Sequence, residues 1–271
     1  MTTAQGLSND FVRTIYQDRA GRLWIGTDGG LDQLVDGRFI NYTTRQGLPP
    51  GVVLAIYEDR QSRLWIGTQV GNSRDFVNQP GQGGLAQFRD GRFDVYTGKD
   101  GLLFNGVSAL LEDRDGNLWI GAWGSGLYRL RDGKFASFTK KDKLSNDAVT
   151  VLYEDREGSL WVGTDLGGLN RLRDGQFTPY TRAEGLPNET ILGIYEDRAG
   201  SIWIGHARWW DGPLEGRSDD QLHNARRTVE RPRELFLGRW RGQIVDRNLD
   251  RIELLGAWTL HRLYQQGRAA E

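Results

Sequence analysis

The carboxylates are the first residues that could do chemistry. Glu and Asp stand side by side at Glu58-Asp59, Glu112-Asp113, Glu154-Asp155 and Glu196-Asp197. Paired carboxylates are common equipment for acid–base catalysis. A catalytic centre, however, is normally one asymmetric constellation. A pair that returns at the end of each apolar run is better read as a structural turn anchor. Asp113-Arg114-Asp115-Gly116-Asn117 resembles the opening of a calcium loop, but the Glu at the twelfth position is missing. Its equivalents in other copies lack the second Asp, so a β-turn explains it. Cysteine is absent, which removes thiolate metal sites, disulfides and cysteine nucleophiles together. All three histidines, His206, His223 and His261, follow the last repeat. No Gly-rich phosphate loop leads from a strand into a helix. No catalytic residue, metal site or cofactor is expected.

Binding is a different matter, because it can use positions at which the copies differ or present polar groups together. Asn9, Asp28, Asn146, Asp165 and Asn188 fall in connecting segments. The third copy departs with Ala122-Trp123-Gly124-Ser125-Gly126, placing an aromatic where other copies have Asp. Trp123, with Ser125 beside it, could stack on a sugar or another flat ligand, and a packing variant is the competing reading. The second copy carries about twelve extra residues between Thr68 and Gly84. Arg74, Asp75 and Phe76 are the best-equipped side chains of that insertion. Long loops on a rigid scaffold often carry recognition, although lengthening a loop costs little and a tolerated insertion looks the same.

The elements that must position these residues come from one short string repeated five times. Leu23-Trp24-Ile25-Gly26 returns around Trp65, Trp119, Trp161 and Trp203, at spacings of 41, 54, 42 and 42 residues. A period near 42 built from strand-like segments is the mark of a β-propeller, one four-stranded blade per repeat. In the fourth copy, Ala148 to Glu154 reads as the innermost strand, rich in β-branched residues. Ser159 to Thr164 is the second strand, Leu169 to Arg173 the third and Gln176 to Thr181 the outer one. Asp174-Gly175 is a two-residue hairpin signal, repeated as Asp36-Gly37, Asp90-Gly91 and Asp132-Gly133. Blades are expected at about 6–44, 47–97, 101–139, 144–181 and, in part, 186–205. The fold class is therefore all-β, an incomplete propeller ring of four blades and a partial fifth. Trp24, Trp65, Trp119, Trp161 and Trp203 are read as structural plates between blades, and the following Gly as room for close approach.

Bulk properties narrow the partners. The formal net charge is −1, with both signs mixed along the chain, so no overall field recruits nucleic acid or an anionic membrane. No run of 18 or more apolar residues exists, so no membrane span is expected. The first residues run straight into repeat material, which reads as a piece of something longer.

Residues 6 to 31, Gly-Leu-Ser-Asn-Asp through Leu-Trp-Ile-Gly-Thr-Asp-Gly-Gly-Leu, resemble the two-component-regulator propeller repeat, and the likeness covers residues 6 to 205. That resemblance implies a sensor domain, commonly seven-bladed, on the periplasmic side of a membrane. It also implies an output module, a histidine kinase or diguanylate cyclase, in a longer parent. The function it implies is non-enzymatic sensing of a small-molecule or oligosaccharide ligand. The loops after the second strands and the links between blades open on one face of such a ring, the default place for a ligand. Two alternatives remain: a propeller enzyme similar to the streptogramin lyases, which rely on histidine chemistry, and a protein-interaction scaffold.

Beyond Gly205 the pattern stops. Residues 206–271 hold twelve arginines and no lysine, without the blade period. A separate domain or a disordered basic tail would fit, and the genetic code offers a sharper reading. Shifted by one base, Trp209-Trp210-Asp211 must read Gly-Gly, 42 residues after Gly167-Gly168. Thr228 to Arg231 permits Leu-Ser-Asn-Asp in that frame, and Gln243 to Arg247 permits Leu-Trp-Ile-Gly, both at the correct phase. The expectation is a sixth blade lost to a frameshift, leaving open sheet edges.

Overall fold

The computed structural model describes residues 2–70, 83–97, 100–102, 106–198, 200–206 and 260–263. The first blade consists of β1 (Val12–Gln17), β2 (Leu23–Thr27), β3 (Leu31–Val35) and β4 (Arg38–Tyr42). The second holds β5 (Val52–Glu58), β6 (Leu64–Gln69), β7 (Gly84–Arg89) and β8 (Arg92–Tyr96). The third holds β9 (Val107–Glu112), β10 (Leu118–Ala122), β11 (Gly126–Arg131) and β12 (Lys134–Phe138). The fourth runs β13 (Val149–Glu154), β14 (Leu160–Thr164), β15 (Leu169–Arg173) and β16 (Gln176–Tyr180). Each is a four-stranded antiparallel meander in sequence order. The fifth is partial, with β17 (Ile191–Glu196), β18 (Ile202–His206) and β19 (Leu260–Leu263). The fold is all-β, an incomplete propeller.

Local chemistry accounts for each meander. The outer hairpins turn on Asp36-Gly37, Asp90-Gly91, Asp132-Gly133 and Asp174-Gly175, with φ positive at both residues of every pair. That geometry suits the twist of two strands joined by two residues, and Asp and Gly tolerate it best. After the outer strand, a Thr closes a short 3-10 turn: Thr43, Thr139 and Thr181 pair with Gln46, Asp142 and Glu184 in reciprocal capping boxes. The link that follows drops a leucine into the core. Leu48, Leu144 and Leu186 pack with Trp24, Trp119 and Trp161 of the blade just completed.

The core lies between sheets. Trp65 and Leu85 of the second blade meet Val107, Leu110, Leu118 and Ile120 of the third in one apolar cluster. The other junctions repeat the arrangement around Trp24, Trp119 and Trp161. Burying one such indole removes about 150–250 Å² from water, worth at most about 4–6 kcal/mol against an extended chain. A Cβ on Gly26, Gly67, Gly121 or Gly163 would lie within 3 Å of the Val or Ile that opens the next blade. The glycine after each Trp-Ile or Trp-Val is what lets neighbouring sheets touch.

The fifth blade differs from the two strands read from sequence. Leu260–Leu263 adds a third, antiparallel to β18, with Ile202 opposite Leu263 and Gly205 opposite Leu260. Without this strand the edge of β18 would present unpaired backbone groups, and a segment far along the chain completes the ladder. The rest of the proposed frame-shifted tail, residues 207–259 and 264–271, lies outside the described residues.

Candidate functional site

Two ends of the blades behave differently. At one end the turn between the first two strands is closed by its aspartate. Asp18, Asp59, Asp113, Asp155 and Asp197 each accept the indole Nε1–H of the tryptophan six residues on, at 2.7–2.8 Å. The other carboxylate oxygen accepts backbone N–H groups of the turn, as Asp113 does from Asp115 and Asn117. Burial by itself raises the Asp18 carboxyl. The Trp24 indole and the backbone and guanidinium of Arg22 outweigh that and hold it below the usual carboxylate range.

The glutamates of the Glu-Asp pairs reach to the blade before. Glu58, Glu112, Glu154 and Glu196 accept the backbone N–H of Arg19, Arg60, Arg114 and Arg156. The guanidinium of each of the last three arginines donates onward to the carbonyl of the next turn, at Arg114, Arg156 and Arg198. The Tyr16 hydroxyl accepts the N–H of Glu58 at 3.1 Å. Within each pair the Asp closes its own turn and the Glu holds the preceding blade.

At the opposite end lie the links and the loops after the second strands. Asn9, Asn146 and Asn188 each turn their side-chain oxygen onto the backbone N–H two residues on, at 2.8–2.9 Å. These are Asx turns, which set the direction in which the chain enters the inner strand. Asp28 forms a two-pronged ion pair with Arg13, both about a quarter exposed. Asp165 accepts the Thr190 hydroxyl at 2.9 Å, joining the loop of the fourth blade to the link into the fifth. Gly126 donates to the Asp147 carbonyl and Gly168 to the Glu189 carbonyl, so each loop is stitched to the following link.

Those contacts bring several of the residues singled out in sequence onto one rim. Trp123 and Ser125, half-buried, share a loop whose end, Gly126, bonds to the link bearing Asn146. Asn146 in turn lies against Gly167, next to Asp165, and Thr190 joins Asp165 to the turn of Asn188. Asn9 packs on Gly29 beside Asp28 at the equivalent place of the first blade. Arg74, Asp75 and Phe76 fall outside the described residues. Trp24, Trp65, Trp119 and Trp161 are buried between sheets, and Trp203 is half-buried.

Sequence reasoning missed two sets of residues. One is the bulge in each inner strand, where the ladder skips Arg13, Leu54, Ser108, Thr150 and Leu192. A bulge turns its side chain out of the regular alternation. Ser108 and Thr150 use it to donate to the Val149 and Ile191 carbonyls of the next blade, while Arg13 meets Asp28. Part of the signal was available: the position is Arg, Leu, Ser or Thr directly after a near-constant Val or Ile. The other is the buried pair Asp32 and Asn170, which accept the N–H of Ser8 and Ser145 and so pin each link to its sheet.

The repeats also match known proteins. Residues 6–29, 47–69, 101–124, 143–165 and 185–208 fit the family described as two component regulator propeller. These five segments are regulator-propeller repeats. Each runs from a link through the inner strand and the Trp strand into the rim loop. Among solved structures, the chain is similar to the extracellular domain of the hybrid two component system BT3049 from B. thetaiotaomicron. Identity there is 27%, with a TM-score of 0.61, over 74% of this chain and 26% of that one. A second such domain, BT4673 from the same organism, gives 20% identity and a TM-score of 0.59 over 76% and 30% of the two chains. Virginiamycin B lyase from Staphylococcus aureus shares the fold, at 16% identity and a TM-score of 0.55 over 73% and 66%. The chain spans about a quarter to a third of the two-component structures it matches. No curated protein matches it in sequence.

Proposed function

We propose that these repeats are the scaffold of a non-enzymatic sensor that binds a small molecule or oligosaccharide on its loop rim, outside the cytoplasm. In this reading they report to an output module, a histidine kinase or diguanylate cyclase, within a longer protein. The regulator-propeller repeats and their likeness to extracellular domains of two component systems support the class of function. Trp123 is the observation that carries the site. It is half-buried at the rim position where the first and fourth blades have Asp28 and Asp165, and an aromatic residue type there suits stacking on a sugar. The neighbouring Asn and Asp side chains are spent largely on shaping turns, so they fix the rim more than they fill it.

A lyase reading rests on the shared fold alone, and residues 1–205 contain no histidine. The test is titration of the purified chain with a panel of neutral and acidic oligosaccharides, followed by tryptophan fluorescence. A saturable change with no turnover of the sugar supports sensing. Turnover, or no saturable response to any member of the panel, removes the proposal.

A further inference from the structure

Lysine is scarce in this chain and unevenly placed. The five lysines are Lys99, Lys134, Lys140, Lys141 and Lys143, whereas arginine is spread throughout. Three of them crowd into the turn that follows β12, the outer strand of the third blade. That turn spans Lys140–Asp142 and ends on Lys143. The same turn in the other copies, Thr3 to Gly6, Thr44 to Gly47, Gly98 to Gly101 and Arg182 to Gly185, carries at most one basic residue.

Lys143 is an exception in its backbone as well. It holds φ at +73°, where the other copies close the turn with Gly6, Gly47, Gly101 and Gly185 at +87° to +103°. A left-handed conformation strains an L side chain and suits glycine, so this lysine opposes the local preference. Its ammonium group, like those of Lys140 and Lys141, is not spent inside the fold. All three residues are exposed. Every ion pair among the described residues is made by an arginine. The carboxylates nearest in sequence are engaged: Asp142 accepts the N–H and hydroxyl of Thr139, and Asp147 accepts the backbone N–H of Lys140. Three ammonium groups against two carboxylates leave the turn positive.

The turn is joined to the loop of Trp123. Asp147 takes the Lys140 N–H on its side chain and the Gly126 N–H on its backbone carbonyl, both at 2.8 Å. A Cβ on Gly126 would lie 3.3 Å from the Thr139 methyl, so the end of the loop rests on the start of the turn. Strand β10 leads into Trp123 and β12 into Lys140, with β11 between them. Two strand spacings separate the two places by about 10 Å. A single sugar ring does not cover that span; a short chain of rings does.

We propose that the ligand is an acidic oligosaccharide, with one ring on Trp123 and its sulfate or carboxylate groups on Lys140, Lys141 and Lys143. This rests on the rim reading above and narrows it to one class of sugar. Exposed ion pairs of this kind are individually modest and are screened by salt, so the lysines select for anions while the ring contact anchors the chain. The formal net charge of −1 keeps that selection local to the third blade.

Isothermal titration of the full chain with three hexasaccharides tests this. One is a κ-carrageenan fragment, whose charge is sulfate alone; one is hexagalacturonate, whose charge is carboxylate alone; one is uncharged cellohexaose. The triple variant Lys140→Gln, Lys141→Gln, Lys143→Gly removes the three charges, and Lys143→Gly restores the residue of the other copies, so the thermal midpoint does not fall. At least one acidic chain binds more tightly than cellohexaose, and its advantage shrinks at high salt. The triple variant loses about tenfold of the affinity for that acidic chain and none for cellohexaose. Trp123→Ala weakens both. Acidic chains that bind no better than cellohexaose, or equally well to the triple variant, overturn the proposal and leave the rim reading standing. Acidic binding that needs the lysines but not Trp123 overturns it too, because the turn then acts without the rim. No response to any of the three removes both readings. Lysine-dependent binding to phosphatidylglycerol vesicles, with no oligosaccharide bound, overturns the proposal and assigns the turn to a membrane surface.

Discussion

The carboxylate of Glu112 in the third blade accepts the backbone N–H of Arg60 in the second, at 2.7 Å, across the gap between two sheets. The glutamate side chain is 2% exposed, whereas the arginine side chain is 52% exposed. The strength of this latch therefore lies in the buried acceptor and not in the ion pair. Glu112→Ala leaves a turn N–H without its acceptor and costs about 1–3 kcal/mol. Arg60→Ala removes a largely solvated guanidinium and costs less than about 1 kcal/mol. Urea unfolding of the two variants measures the difference.

Two glycines with the same place in the repeat predict opposite outcomes. A methyl on Gly121 would come within 2.7 Å of the Val149 side chain, and one on Gly205 would approach nothing closer than 3.7 Å among the described residues. Gly121→Ala overpacks a junction and destabilises by about 1–3 kcal/mol. Gly205→Ala leaves the urea midpoint close to wild type. Equal losses at both sites would show that the glycine serves the strand and not the contact between blades.

Acid loosens the first blade through Asp18. Its folded value lies below the unfolded one, about 3.9, so its contribution is complete above about pH 4 and fades as the pH falls through the folded value. Asp18→Asn removes that part of the acid-side slope, read from urea midpoints on descending pH. The neutral side chain also weakens the bond from the Trp24 indole at every pH.

Alkali acts on the other side of the junctions. Burial raises the Tyr57 hydroxyl above its ordinary value, more than the Glu112 N–H bond to it lowers it, and Tyr16 and Tyr153 follow the same direction. Their contribution is complete below about pH 10 and is lost as the pH rises through the higher folded values. Tyrosinate absorbance and unfolding are expected to rise together, and Tyr57→Phe shifts that transition.

Much of this was legible before any coordinates. Five indoles at a near-constant spacing and four Asp-Gly pairs place the strands of the fourth blade within a residue of β13 to β16, because a period-two pattern between tight turns has few other solutions. The function of Asp113 was half legible. Its turn can be read from Asp-Arg-Asp-Gly, but the bond to Trp119 needs the twist of the hairpin to bring residues six apart together. Glu112 could be set aside as a catalyst by its repetition, yet its partner, Arg60, is 52 residues away, and no local rule reaches that far. The strand Leu260–Leu263 was not legible at all, since nothing in the repeat announces it.

The central claim is that the repeats hold the rim and that Trp123 reads the ligand. Isothermal titration of wild type and Trp123→Ala, using an oligosaccharide that gives a saturable fluorescence change, tests it most directly. The account predicts at least a tenfold loss of affinity, about 1.4 kcal/mol, with an unchanged thermal midpoint. Equal affinity in the two proteins would contradict it.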